Sequence, residues 1–323
     1  MGSPSLRLYR AVGAGMTAFS RLRLRVSVDG ALELAPRTLY VFTHRSNLDT
    51  PLLCGGLFPF ARRGRRRDLP WFVVRDDMLE DGFFAQFAPG RVPLALGVGG
   101  VLASHLRCVM LRPATRMRVV ELARADPGAP LHDLPNAGDL VARARSLGRA
   151  EPTLAGDVLR SAYADLLWRV VGRDEAPGPA AAWERRLGQS RRDLERVVSL
   201  LRGGESVVLS PEGTPSSDGA VGPLMRGVGL LVRRGRPERI VPIGLAFDPV
   251  GPGRTRGLVR IGDPVAPPAG DVELALHRLL RQTLPRSPGA ARAHAYREGT
   301  LAGPPPAPPE ILDRLAREYE SAL

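Results

Sequence analysis

His44 and Asp49, five residues apart, pair a side chain that moves protons near neutral pH with one that can orient it. A carboxylate that accepts one ring N–H fixes the imidazole tautomer and leaves the other nitrogen free as a general base. On one continuous helix, at 3.6 residues per turn, the two side chains would point roughly 140° apart. They meet only if His44 lies in a turn and the chain folds Asp49 back beneath it. The flanking residues supply such a turn. Residues 37–42 before it are β-branched and aromatic and read as a strand. Residues 51–60 after it are apolar, and Ser46, Asn47 and Thr50 are helix-capping types. The same pattern also fits a solvent-exposed loop histidine beside a helix-capping aspartate.

A second strand and turn lie far downstream. Residues 205–210 read as a strand, Pro211-Glu212-Gly213-Thr214 follow it, and residues 222–227 run Gly-Pro-Leu-Met-Arg-Gly. Here the sequence resembles the glycerolipid acyltransferase family of 1-acylglycerol-3-phosphate and glycerol-3-phosphate O-acyltransferases. That family's first motif is H-x-x-x-x-D, matched by His44 and Asp49, and its third is F-P-E-G-T, matched from Pro211 to Thr214. The G-P-x-[KR]-x-G tail is similar to residues 222–227, with Arg226 in the basic position, and a V-P-[IV] strand is similar to Val241-Pro242-Ile243. The second motif, G-x-x-F-x-x-R, is best matched by residues 106–112, where Leu106 and Val109 replace the glycine and phenylalanine and Arg112 keeps the basic end.

The resemblance implies transfer of a fatty acyl group from acyl-CoA or acyl carrier protein to a hydroxyl of a glycerolipid acceptor, of lysophosphatidate or glycerol-3-phosphate type. His44 would be the general base and Asp49 its orienting carboxylate. Arg112, Glu212, Gly213, Thr214 and Arg226 would bind substrate. Neither metal nor cofactor is implied, the thioester being a co-substrate. Many members follow the third-motif threonine with an arginine, and this chain has Pro215. A physical reading of Arg112 alone gives a strand-end arginine whose guanidinium forks onto phosphate oxygens, or a plain surface charge.

The elements around these motifs alternate strand and helix, which argues for an α/β fold with a mainly parallel central sheet flanked by helices. Residues 71–74, 108–111, 239–246 and 255–261 read as strands; residues 183–201, 225–234, 271–284 and 310–323 read as helices. Between the second and third motifs, residues 113–183 form an insertion. Leu154, Val158, Leu159, Ala162, Tyr163, Leu166, Leu167 and Val170 recur in it at helical spacing, so it is expected to be partly helical. The expected organisation is an amphipathic helix within 1–30, an acyltransferase domain over 31–290, and a Pro-rich linker with a final helix over 291–323.

The formal charge of +13 comes from 46 basic and 33 acidic residues, every basic one an arginine. That balance suits an anionic partner. Aromatic residues are only 5% and show no basic–aromatic binding motif, so no nucleic acid is expected. No apolar run reaches the roughly 18 residues of a spanning helix. The arginine run at 62–67, with five arginines, and an amphipathic stripe of Leu6, Tyr9, Val12, Met16 and Phe19 fit peripheral binding to an anionic membrane at its cytoplasmic face. The stripe fits equally a helix packed on the catalytic domain. Cys54 and Cys108 have no metal-binding or C-x-x-C spacing, and His105, His132, His277 and His294 fall in no motif. Two other readings remain open: a catalytically inert lipid-binding member of the same fold, and a basic nucleic-acid-binding protein.

Overall fold

The computed structural model describes residues 6–45, 49–50, 52–53, 69–75, 85–86, 88–94, 106–176, 180–213, 220–248, 250, 254–285, 287, 289–301 and 307–320. Ser46, Asn47, Cys54, the arginine run 62–67, His105, Thr214 and Pro215 lie outside them.

Among the described residues the centre of the fold is a seven-stranded sheet in the order β1-β9-β8-β2-β7-β3-β4. Its strands are β1 (Arg25–Asp29), β2 (Thr38–Phe42), β3 (Trp71–Arg75), β4 (Cys108–Leu111), β7 (Val207–Leu209), β8 (Arg239–Asp248) and β9 (Arg256–Ile261); β5 (Arg116–Arg118) and β6 (Val170–Gly172) form a separate two-stranded ribbon. The pairs β1–β9, β2–β8, β2–β7 and β3–β7 are parallel, and β8–β9 is antiparallel. The helices are α1 (Leu6–Arg23), α2 (Val119–Ala125), α3 (Ala137–Ser146), α4 (Ala164–Leu167), α5 (Ala180–Arg202), α6 (Gly227–Gly235), α7 (Val272–Thr283), α8 (Ala290–Arg297) and α9 (Pro309–Glu320). The fold is therefore α/β, a mainly parallel sheet flanked by helices.

The strands that carry the motifs are covered on both faces. Leu39, Tyr40 and Val41 of β2 and Val207 and Val208 of β7 are fully buried, which is why both read as unbroken apolar runs rather than alternating ones. Pro242 sits inside β8 without breaking it. Its carbonyl accepts the Gly262 N–H, and the β8–β9 ladder begins only at Ile243, so the donor that proline lacks falls beyond the end of β9.

The chain divides into two compact units, one of residues 3–73 with 197–323 and one of residues 74–196. In the first, Tyr40, Leu52, Val208, Val241, Ile243, Leu245, Val259 and Ile261 share a core, and α8 packs with α9 through Ala293, Leu312 and Leu315. Helix α1 buries Tyr9, Gly13, Thr17 and Ser20, and Leu6 and Met16 of the apolar stripe pack beside Tyr9 against Leu69 and Phe72. The small residues allow close packing, the Tyr9 hydroxyl donates to the Pro70 carbonyl, and Thr17 closes on the Gly13 carbonyl. Phe19 (42% exposed) and Leu22 (72%) are consequently left at the surface. No helix among the described residues is long and apolar enough to cross a membrane.

The second unit has its own core, including Met117, Val119, Leu122, Leu140, Leu167, Val171 and Trp183. The helical spacing read over 154–170 resolves into short pieces: a 3₁₀ turn at Ala155–Val158, another at Ser161–Tyr163, then α4. Asp157 is the local reason. Its carboxylate accepts the N–H groups of Thr153 and Leu154 and closes a tight turn, and the chain runs extended at Arg160 before turning again. Arg186, 3% exposed, ties this unit together by donating to the carbonyls of Pro113 and Arg116 and pairing with Glu121.

Candidate active site

Strands β2 and β7 lie side by side with Val41 opposite Leu209. Three residues beyond each come His44 and Glu212, so parallel register brings together two turns 168 residues apart in sequence. They meet at the carboxyl ends of the strands, where open α/β sheets bind ligands. Thr43 anchors the approach: its N–H donates to the Ile243 carbonyl, and its hydroxyl accepts the Leu245 N–H at 2.8 Å. The backbone is thus held against β8 up to the residue before the histidine.

Asp49, helical with Thr50, lies against His44. His44 Nδ1 stands 2.6 Å from Asp49 Oδ2, and the same oxygen accepts the Arg45 N–H at 2.6 Å. A carboxylate oxygen only accepts, so Nδ1 carries the ring proton and Nε2 presents its lone pair. The carboxylate is 2% exposed and the imidazole 19%. One end of the pair is sealed and the other reaches solvent. Among the described residues Nε2 has no partner. This arrangement can take a proton from a hydroxyl or hold one for a leaving group.

Glu212 fastens the neighbouring turn. Its Oε1 accepts the His44 N–H at 2.8 Å and its Oε2 the Gly222 N–H at 2.7 Å, at 6% exposure. Burial raises its carboxyl above the ordinary value, while those two N–H groups and the nearby Arg45 and His44 pull it back. Arg45, 6% exposed, donates to the Ala220 carbonyl at 2.6 Å. Gly213 follows at φ +72°, a conformation that favours glycine, and a Cβ there would come within 2.6 Å of Met225 Sδ. Met225 N–H in turn donates to the Pro211 carbonyl.

With this geometry in hand, likeness to known proteins adds little. No protein-family model matches the chain, and no curated protein does. One solved structure with a matching course is the 1-acyl-sn-glycerophosphate (LPA) acyltransferase PlsC from Thermotoga maritima. It is 13% identical over 92% of this chain and 83% of that one, with a TM-score of 0.43.

Of the residues singled out from sequence, the fold brings together His44, Asp49, Glu212 and Gly213. Arg226, exposed at the start of α6, follows Met225, which packs on Gly213. Arg112 belongs to the other unit. Its Nη1 is bonded to both oxygens of Asp193 at 3.0 and 2.9 Å, and its backbone N–H reaches the same carboxylate. Thr214 lies outside the described residues. The N–H of His44 is taken by Glu212 and that of Arg45 by Asp49, so neither is available to stabilise a developing oxyanion. Sequence reading passed over two residues that shape the site. Arg45 carried a signal only through its place beside His44. His277, whose Nε2 bonds the Val221 carbonyl, carried none.

Proposed function

We propose that the protein is an O-acyltransferase that moves a fatty acyl group from a thioester of coenzyme A or acyl carrier protein to a hydroxyl of a glycerolipid acceptor, of lysophosphatidate or glycerol-3-phosphate type. The observation that carries this reading is the 2.6 Å bond from His44 Nδ1 to a buried carboxylate, with Nε2 unpartnered among the described residues at the carboxyl ends of β2 and β7. His44 Nε2 removes the acceptor's proton as its oxygen attacks the thioester carbonyl carbon. The C–O bond forms, the C–S bond breaks, and the proton passes from the imidazolium to the departing thiolate. Asp49 holds the ring in register and stabilises the imidazolium. Glu212 and Gly213 shape the turn beside it.

An acceptor phosphate would meet Arg226, while Arg112 is engaged by Asp193 within its own unit. A one-chain acceptor resides in a bilayer, so the protein must dock there. Helix α1 supports this with Arg7, Arg21 and Arg23 exposed, no acidic residue, and Phe19 and Leu22 at the surface. The insertion at 113–183 holds nine arginines against nine aspartates and glutamates, so the whole +13 lies outside it. Docking to anionic lipid therefore falls to the rest of the chain, the run at 62–67 included. The reading is tested by following thiol release from acyl-CoA with and without a lysophosphatidate. Release that depends on the acceptor and is lost in His44→Ala supports it; release indifferent to the acceptor overturns it.

A further inference from the structure

Three consecutive residues beside the site are each gripped by a different side chain. The Ala220 carbonyl accepts from Arg45 Nη1, the Val221 carbonyl from His277 Nε2 at 3.1 Å, and the Gly222 N–H donates to Glu212. Two of these grips come from the two motif turns. The third comes from α7, which belongs to neither. A carbonyl can only accept, so His277 Nε2 carries a proton. Val221 itself is 7% exposed, which makes its carbonyl a group that is costly to leave without a partner.

Helix α7 is seated by its buried Val272, Leu276 and Leu280 and makes a second contact on the His277 face. Glu273, four residues before His277 and so one turn along, lies against Gly229 of α6. A Cβ at Gly229 would come within 2.1 Å of its carboxylate oxygen, so the glycine leaves room for that side chain against α6. His277 ties this helix to residues 220–222 through the Val221 carbonyl.

We propose that His277 is a positioning residue for the catalytic turn. It holds the Val221 carbonyl, which keeps the Gly222 N–H on Glu212, which in turn leaves the other Glu212 oxygen fixed on the His44 N–H. The effect on acyl transfer rests on the function proposed above; the effect on the backbone does not. In His277→Leu the donor is gone and the strap is free to shift. In His277→Gln the side-chain amide can restore it.

Amide hydrogen exchange on peptides covering Gly222 and His44 tests this directly. Leu312→Ala, in the α8–α9 cluster of the same unit, serves as a variant destabilised elsewhere. The expected result is exchange at both segments about five-fold faster in His277→Leu than in Leu312→Ala at matched thermal stability, the loss of one ordinary hydrogen bond. His277→Gln should return most of the way to the parent. Acceptor-dependent kcat should fall by a similar factor, with the KM for the thioester little changed. Equal exchange in His277→Leu and Leu312→Ala overturns the proposal. If the parent transfers no acyl group to any acceptor, the proposed function fails, but the exchange comparison still decides the role of His277.

Discussion

Replacing Asp49 by Asn is the most informative single perturbation, because two donors converge on one oxygen. Oδ2 accepts from both His44 Nδ1 and the Arg45 N–H, each at 2.6 Å. An amide nitrogen at that place would face both donors. The amide oxygen should therefore take it, keeping Nδ1 protonated and Nε2 free. What is lost is the charge on the bond, worth about 1.5–3 kcal/mol, or about 10- to 160-fold in kcat. Had the amide nitrogen faced the ring, the tautomer would invert and the loss would approach ~10⁴-fold, as in a mis-set catalytic triad. His44→Ala should cost about 10²- to 10⁴-fold, and adding Asp49→Asn to it should cost little more, since the carboxylate's part in proton transfer runs through the ring and the amide oxygen still accepts the Arg45 N–H. The assay is steady-state acyl transfer with thermal melts on every variant. A folded Asp49→Asn with the parent's kcat, or losses that multiply in the double variant, would refute the pairing argument.

Other outcomes follow from the same geometry. Arg226→Ala should raise the acceptor KM by about 10- to 160-fold if a phosphate contact is lost, with the thioester KM unchanged. Arg112→Ala, which takes the Nη1 ion pair from Asp193, should lower the melting temperature, and an acceptor KM that moves in neither variant removes phosphate from the acceptor. Burial raises the Glu212 carboxyl, so the folded chain binds that proton more tightly than the unfolded chain, and stability falls as pH rises from the ordinary 4.5 through the raised value. Glu212→Gln should be less stable, because an amide N–H₂ then faces a backbone N–H. It should also lose that slope in denaturant unfolding across the same window; an unchanged slope would exclude Glu212 as its source. Binding to anionic liposomes should weaken steadily with salt, and equal, salt-insensitive binding to neutral and anionic liposomes would rule out electrostatic docking.

What could be read in advance divides along physical lines. β2, β7 and β8 were legible because strands buried on both faces must be apolar along their whole length, and His44 and Asp49 because a short turn constrains their spacing. Strand β1 was not legible, since Arg25–Asp29 is exposed at four of its five positions and shows no apolar pattern. Its partner in β9 supplies the order that its sequence does not announce. The stripe on α1 named Leu6, Tyr9 and Met16 of the packed face, but the small Gly13, Thr17 and Ser20 that complete it carry no apolar signal, and Phe19 lies exposed. His277 and Val221 are 56 residues apart, and Arg112 and Asp193 81 apart. Each of these pairs joins two ordinary polar groups that no local pattern connects. Their roles emerge only once the chain is folded.

The most direct test of the central claim uses a thioester labelled in its acyl chain. The protein is incubated with it and a panel of lysolipids and glycerol 3-phosphate, and the extracted lipids are weighed by mass spectrometry. The account predicts labelled acyl esters on a hydroxyl of a glycerolipid acceptor in the parent, and a loss of about 10²-fold or more in folded His44→Ala. Labelled product formed equally well by His44→Ala, or no labelled ester on any acceptor, would contradict it.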